Sequence, residues 1–211
     1  MASKSKCLYI IHRVNSIDKL KSIPPEFGIE IDVRGYGKKI LLNHDPLDSD
    51  SPYEELDHFL SHFHHAFIIF NIKEAGYEDR VIDIAVSHGI PHYFLLDVEF
   101  PYFYRATRMN HFRNIAVRFS EAEPIEFVLS QRIGKRFLVD WVWVDTNTRL
   151  PLTDKIYSRL RGLKICLVSP DRWGRPEDIV SYAQYMSQHQ IHVQAIMTEL
   201  QYVPIWKQWY G

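Results

Sequence analysis

Eight short apolar runs alternate with stretches of helical periodicity along 211 residues. That alternation predicts an α/β protein, a compact (β/α)8 TIM barrel. Two further observations agree with it. Acidic residues and histidines gather at the ends of the early runs, where such a barrel carries its chemistry. The composition, 46% hydrophobic and 14% aromatic, is that of a chain able to bury a sizeable core, so a single domain over residues 1–211 is expected. A doubly wound open sheet is the competing arrangement, and strand number alone does not separate the two.

The elements follow in order. Cys7–His12 is a β-branched and aromatic run that reads as the first strand. The connection 16–27 contains Pro24-Pro25, which leaves room for only a brief helix. Gly28–Val33 is the second strand, and Gly35-Tyr36-Gly37-Lys38 after it reads as a hairpin turn. Residues 51–65 open with Ser-Pro and carry Leu56, Phe59, Leu60 and Phe63 at helical spacing. Ala66–Lys73 is the third strand. Tyr77–His88 is helical, with Val81, Ile84 and Ala85 on one face and Gly89 as its stop. Tyr93–Glu99 is the fourth strand, and Pro101–Phe112 is helix-compatible. Asn114–Ser120 is the fifth strand, followed by a helix over Pro124–Ile133 that ends at Gly134. Phe137–Asp145 is the sixth strand, and Thr153–Leu160 is the helix after it. Lys164–Ser169 is the seventh strand, with a helix over Pro176–Ser187. Val193–Thr198 is the eighth. Little chain follows it, so the last helix is short, and Trp206 and Trp209 are expected to close the barrel's bottom or an oligomer interface.

Charge and cysteine content narrow the function. Lys plus Arg number 25 against 26 Asp plus Glu, a balance that argues against a nucleic-acid partner held by phosphate neutralisation. Cys7 and Cys166 both sit in apolar runs and read as reduced core residues, which fits the cytoplasm. The polar start, Met1–Lys6, precedes too few apolar residues for a secretory leader, and no run is long enough for a membrane span.

Spacing then becomes geometry. Alternate side chains of a barrel strand point inward, so Glu30 and Asp32 share the interior face. Two neighbouring carboxylates repel and are costly to desolvate. A divalent cation, Mg²⁺ or Ca²⁺, relieves both problems; pairing with Lys or Arg is the alternative. His12 closes the first strand and His44 lies beyond the hairpin, two imidazoles suited to proton transfer near neutral pH. His58 and His62, one turn apart, are a possible metal pair, but a solvated helix face accounts for them as well. One side of the alternating Asp140, Trp141, Trp143, Asp145 run must face inward. Arg118 can reach a phosphate, or an ion pair with Asp97 or Glu99.

His12-Arg13, then Gly28-Ile29-Glu30-Ile31-Asp32-Val33, then His44-Asp45-Pro46-Leu47 resembles the glycerophosphodiester phosphodiesterase family in order, spacing and strand context over residues 7–47. Phe70-Asn71-Ile72-Lys73 looks like that family's third strand, and Ala195–Glu199 like its last. The resemblance implies a (β/α)8 barrel that hydrolyses a phosphodiester with a divalent metal. It implies His12 and His44 as acid and base, Glu30 and Asp32 as metal ligands, and Arg13 and Lys73 on the phosphate. Two positions depart from the family. Asn71 stands where a third carboxylate is usual; its amide oxygen can ligate without charge, and Asp97 or Glu99 could supply the missing acid. Val14 stands where a Gly is usual. The substrate expected is a small-molecule or glycan phosphodiester. The alternatives are a catalytically weakened barrel that binds a phosphorylated polyol, and a metal-independent lyase that resembles bacterial phosphatidylinositol-specific phospholipases.

Overall fold

β-Branched and aromatic residues fit a pleated, buried surface, and each of the eight runs supplies a parallel strand. The computed structural model describes residues 7–48 and 51–210. The amino-terminal half contains β1 (Leu8–Ile11), α1 (Ile17–Ser22), β2 (Gly28–Tyr36), β3 (Lys39–Leu42), α2 (Leu56–Leu60), β4 (Phe67–Ile72), α3 (Glu78–Ser87), β5 (Tyr93–Leu96) and α4 (Phe100–Arg108). Then come β6 (Ala116–Phe119), α5 (Ile125–Ser130), β7 (Arg132–Ile133), β8 (Arg136–Phe137), β9 (Trp141–Val144), α6 (Asp154–Arg159), β10 (Lys164–Val168), α7 (Asp178–Gln188), β11 (Ala195–Thr198) and α8 (Val203–Trp209). The polar start at Met1–Lys6 lies outside the described residues.

The chain resolves into two compact units. One is Ile10–Ile115; the other runs from Ala116 onward and includes Leu8 and Tyr9, so β1 contributes to both. In Ile10–Ile115 the ladder order is β5-β4-β2-β1, all parallel, with β3 antiparallel on β2. Both faces of β2 are buried, as expected of a parallel strand under helices: Ile29 and Ile31 on one side, Glu30 and Asp32 on the other. At Gly28 a Cβ would lie 2.3 Å from Ile10 Cδ1 and 3.1 Å from Phe67 O, so the strands close tightly only around glycine. β2 outruns its neighbours because its last four residues pair with β3, from Val33 opposite Leu42 to Tyr36 opposite Lys39. The two-residue turn between them places Gly37 at φ 57°, which confirms the hairpin.

In the other unit β11, β10, β9 and β6 are parallel neighbours in that order, and Leu8 N donates to Gln194 O. Trp206 is fully buried and its Nε1 donates to Ser169 Oγ at 2.9 Å, whereas Trp209 is 40% exposed.

Several boundaries differ from expectation for identifiable reasons. The helix expected over 51–65 shrinks to α2, because Glu54 O accepts from Leu42 N and Glu55 bridges to Leu41, which holds that stretch extended along β3. The helix expected over 124–133 ends at Ser130, and Arg132–Ile133 instead pairs with Arg136–Phe137 around Gly134. Arg118 pairs with Asp145, and Trp143 Nε1 donates to the same carboxylate at 3.0 Å. Among the described residues, neither cysteine is in a disulfide, and Cys166 is buried. Among the described residues, no helix is long and apolar enough to cross a membrane.

Candidate active site

The site lies within Ile10–Ile115, at the carboxyl ends of β1, β2 and β4. Parallel register brings it together: Asp32 pairs with Asn71 across β2 and β4, and Lys73 N donates to Val33 O at 3.0 Å. Side chains opposite one another in a parallel pair point to the same face, so Glu30, Asp32 and Asn71 converge. Asn71 Nδ2 donates to Glu30 Oε1 at 2.9 Å, and Lys73 Nζ lies 3.1 Å from Asp32 Oδ1. His12 joins them from the end of β1, its Nε2 3.8 Å from Glu30 Oε2.

β1 stops at Ile11, opposite Ile29, and the loop after it covers the rest of β2's edge. Arg13 N donates to Glu30 Oε2 at 2.8 Å and Val14 N to Glu30 O at 2.8 Å. Asn15 closes the loop onto Asp32: its Nδ2 donates to Asp32 Oδ2 at 2.8 Å, and its Oδ1 accepts from Asp32 N at 2.8 Å. Arg13 adopts φ 50°, a left-handed conformation that costs a non-glycine residue of order 1–2 kcal/mol. The resemblance had pointed to position 14 for this freedom, but Val14 is buried with an ordinary φ and Arg13 makes the turn. Lys19 Nζ, 2.9 Å from His12 O and 3.2 Å from Arg13 O, holds the turn from the α1 side.

His44 follows the hairpin in the chain. The antiparallel register returns the chain so that Asn43 N donates to Asp32 O at 3.1 Å, with His44 next in line. Arg34 fixes that position, donating to His44 O at 2.8 Å and to Glu74 Oε1 at 2.9 Å. His44 Nδ1 lies 2.9 Å from Asp45 Oδ1. That hydrogen bond, with the charges of His44, Arg13 and Arg34, holds the Asp45 carboxyl below the usual carboxylate range. Glu30 shifts the opposite way. Burial, then the neighbouring Asp32 charge, raise it against the pull of Arg13 N–H, Asn71 and Lys73.

The donor set suits a hard cation. Two carboxylates and an amide oxygen meet, and buried Asp32 Oδ1 and Asn71 Oδ1 lack hydrogen-bond donors. Magnesium sites often use one or two carboxylates and leave other positions to water and substrate phosphate. Among the described residues, no three or more His, Cys, Asp or Glu form a metal-holding group. Asp97 does not share a strand face with Glu99: β5 ends at Leu96 and Asp97 turns left-handed at φ 58°. His58, exposed on α2, and half-buried His62, in the turn after it, meet edge-on with ring centroids 5.0 Å apart.

Sequence reasoning missed Asn15 and the Arg34–Glu74 brace. Neither follows strand or helix periodicity. The one local hint for Asn15 is its residue type, since Asn in a short connection readily bonds backbone groups.

No sequence-family profile matches the chain, and no curated protein sequence does. Solved structures do match. A glycerophosphoryl diester phosphodiesterase from Parabacteroides distasonis superimposes with a TM-score of 0.59 at 15% identity, over 93% of this chain and 84% of that one. A glycerophosphodiester phosphodiesterase from Agrobacterium tumefaciens does so with a TM-score of 0.62 at 12% identity, over 96% of this chain and 100% of that one. The fold is therefore a (β/α)8 barrel, a nearly closed ring of eight parallel strands with helices between them.

Proposed function

We propose that this chain is a divergent glycerophosphodiester phosphodiesterase-like enzyme, a phosphoric diester hydrolase. Its substrate is a glycerophosphodiester or a glycerol-phosphate-containing glycan. The observation that carries the reading is the convergence of His12, Glu30, Asp32, Asn71 and Lys73 at adjacent strand ends, with His44 one residue beyond Asn43, whose N–H donates to Asp32 O. The barrel shared with two phosphodiesterases supports it.

Glu30, Asp32 and Asn71 would hold a divalent cation, Mg²⁺ or Ca²⁺. When bound, it supplies positive charge to the phosphoryl oxygens and acidity to a coordinated water. Lys73, anchored on Asp32, and Arg13, at the lip of the turn, bind and orient the phosphate. One histidine takes the proton from water as its oxygen attacks phosphorus. The other gives a proton to the leaving alcohol as the P–O bond breaks, and a phosphomonoester and a free alcohol result. The Asp45 carboxylate holds the His44 ring. We place the enzyme in the cytoplasm, where both thiols stay reduced.

A second reading has its own observation. Lys73, ion-paired with Asp32, and the Asn71 amide, hydrogen-bonded to Glu30, already compensate the two carboxylates. A cation-independent cleavage, with the substrate's own hydroxyl as nucleophile, uses the same histidines. Turnover of a chromogenic diester tests both. Turnover abolished by chelator and restored by Mg²⁺ or Ca²⁺ supports the hydrolase, and turnover indifferent to chelator supports the second reading. His12→Ala and His44→Ala should each lose about 10²–10⁴-fold in kcat. Full activity in either variant removes the acid–base assignment.

A further inference from the structure

We propose that Asn15 is a positioning residue for the cation site: it commits one oxygen of Asp32, so that the other faces Lys73 and the bound metal. The inference rests on the cation reading above and extends it to a side chain outside the ligand set.

The geometry is that of a two-point clamp. The Asn15 amide gives its NH₂ to Asp32 Oδ2 and takes the Asp32 backbone N–H on its oxygen, both at 2.8 Å. The β1–β2 pairing ends at Ile29, and the Asp32 N–H is met by the Asn15 side chain and not by a backbone carbonyl of β1. That N–H would otherwise be an unmatched donor in a buried strand, which costs about 1–3 kcal/mol. The same two bonds tie the side chain to its own backbone and set its rotation. Asp32 is fully buried, and its Oδ1 is left beside Lys73 Nζ at 3.1 Å without a hydrogen-bond donor. Loss of the clamp frees the carboxylate to turn Oδ2 toward Lys73. That collapses the ligand pair without removing any ligand. Partners that orient a ligating carboxylate typically change metal affinity 10–100-fold.

The test uses the full chain and Mn²⁺ alone, followed by titration with electron paramagnetic resonance. Asn15→Ala should bind Mn²⁺ about 10–100-fold more weakly than the wild-type protein. Diester kcat should return toward the wild-type value when Mn²⁺ is saturating, with far-UV circular dichroism unchanged. Asn15→Gln keeps the amide but moves it one methylene outward, so it cannot close both bonds. It should fold and bind Mn²⁺ with intermediate affinity, and it decides the matter if Asn15→Ala does not fold. Either folded variant binding Mn²⁺ as the wild type does overturns the proposal. So does a kcat that stays low at saturating Mn²⁺, which would place Asn15 in the chemistry. A wild-type protein that takes up no Mn²⁺ overturns the cation reading, and this inference falls with it.

Discussion

Asp145 sets up a titration that can be read apart from catalysis. Burial pushes its carboxyl up to about 6, against the opposing pull of Arg118. In the unfolded chain it returns to the ordinary value of 3.8, so between these limits the folded state binds more protons than the unfolded one. Its contribution to stability therefore falls as pH rises from about 4 to about 6, by an amount on the order of 3 kcal/mol. Urea unfolding of Asp145→Asn beside the wild type across this range should show the wild type losing ground as pH rises. Parallel curves would mean that the Arg118 pair offsets the desolvation fully. Residues of this kind mark the limit of sequence reading. The strand alternation places Trp143 and Asp145 on one face, but the choice of Asp145 as the partner of Arg118 needs the register of β6 against β9. By contrast Glu30 and Asp32 were legible, because a period of two along a single strand suffices.

The hairpin is the element on which His44 depends. Its strands pack against α3 through Gly35, where a Cβ would lie 2.0 Å from the Tyr77 ring. Gly35→Ala should displace Tyr77 and cost about 1–3 kcal/mol. Diester turnover should fall along with stability, since the same hairpin delivers Arg34 and His44. Unchanged urea midpoint and turnover would show that the ring gives way without consequence. The turn itself was readable from Gly37-Lys38, but the nine-residue length of β2 was not. Its last four residues are extended by a partner strand, not by their own propensity. Helix boundaries at 51–65 and 124–133 failed for the same reason. Glu54 and Glu55 are held on β3, and Arg132–Ile133 on Arg136–Phe137, so tertiary pairing overrides helical periodicity.

Across the whole molecule, the eight strands and their parallel order were the most legible feature, because each apolar run is bounded by turn residues and alternates with a helix. The catalytic candidates all belong to Ile10–Ile115, whereas the largest fully buried side chain, Trp206, belongs to the other unit. Trp206→Ala should therefore cost about 3–5 kcal/mol in denaturant unfolding while leaving the KM for a diester unchanged below the transition. A raised KM would tie substrate binding to α8. The left-handed turn at Arg13 carries the broadest consequence. A glycine there would relax the backbone, while the guanidinium would be lost from the phosphate. Arg13→Gly should match or exceed the wild type in urea by about 0–1 kcal/mol, after the extra chain entropy of glycine is counted, and bind diesters more weakly. A mutant library screened for heat tolerance and one screened for turnover should thus drift apart at this codon, the first toward glycine and the second back to arginine.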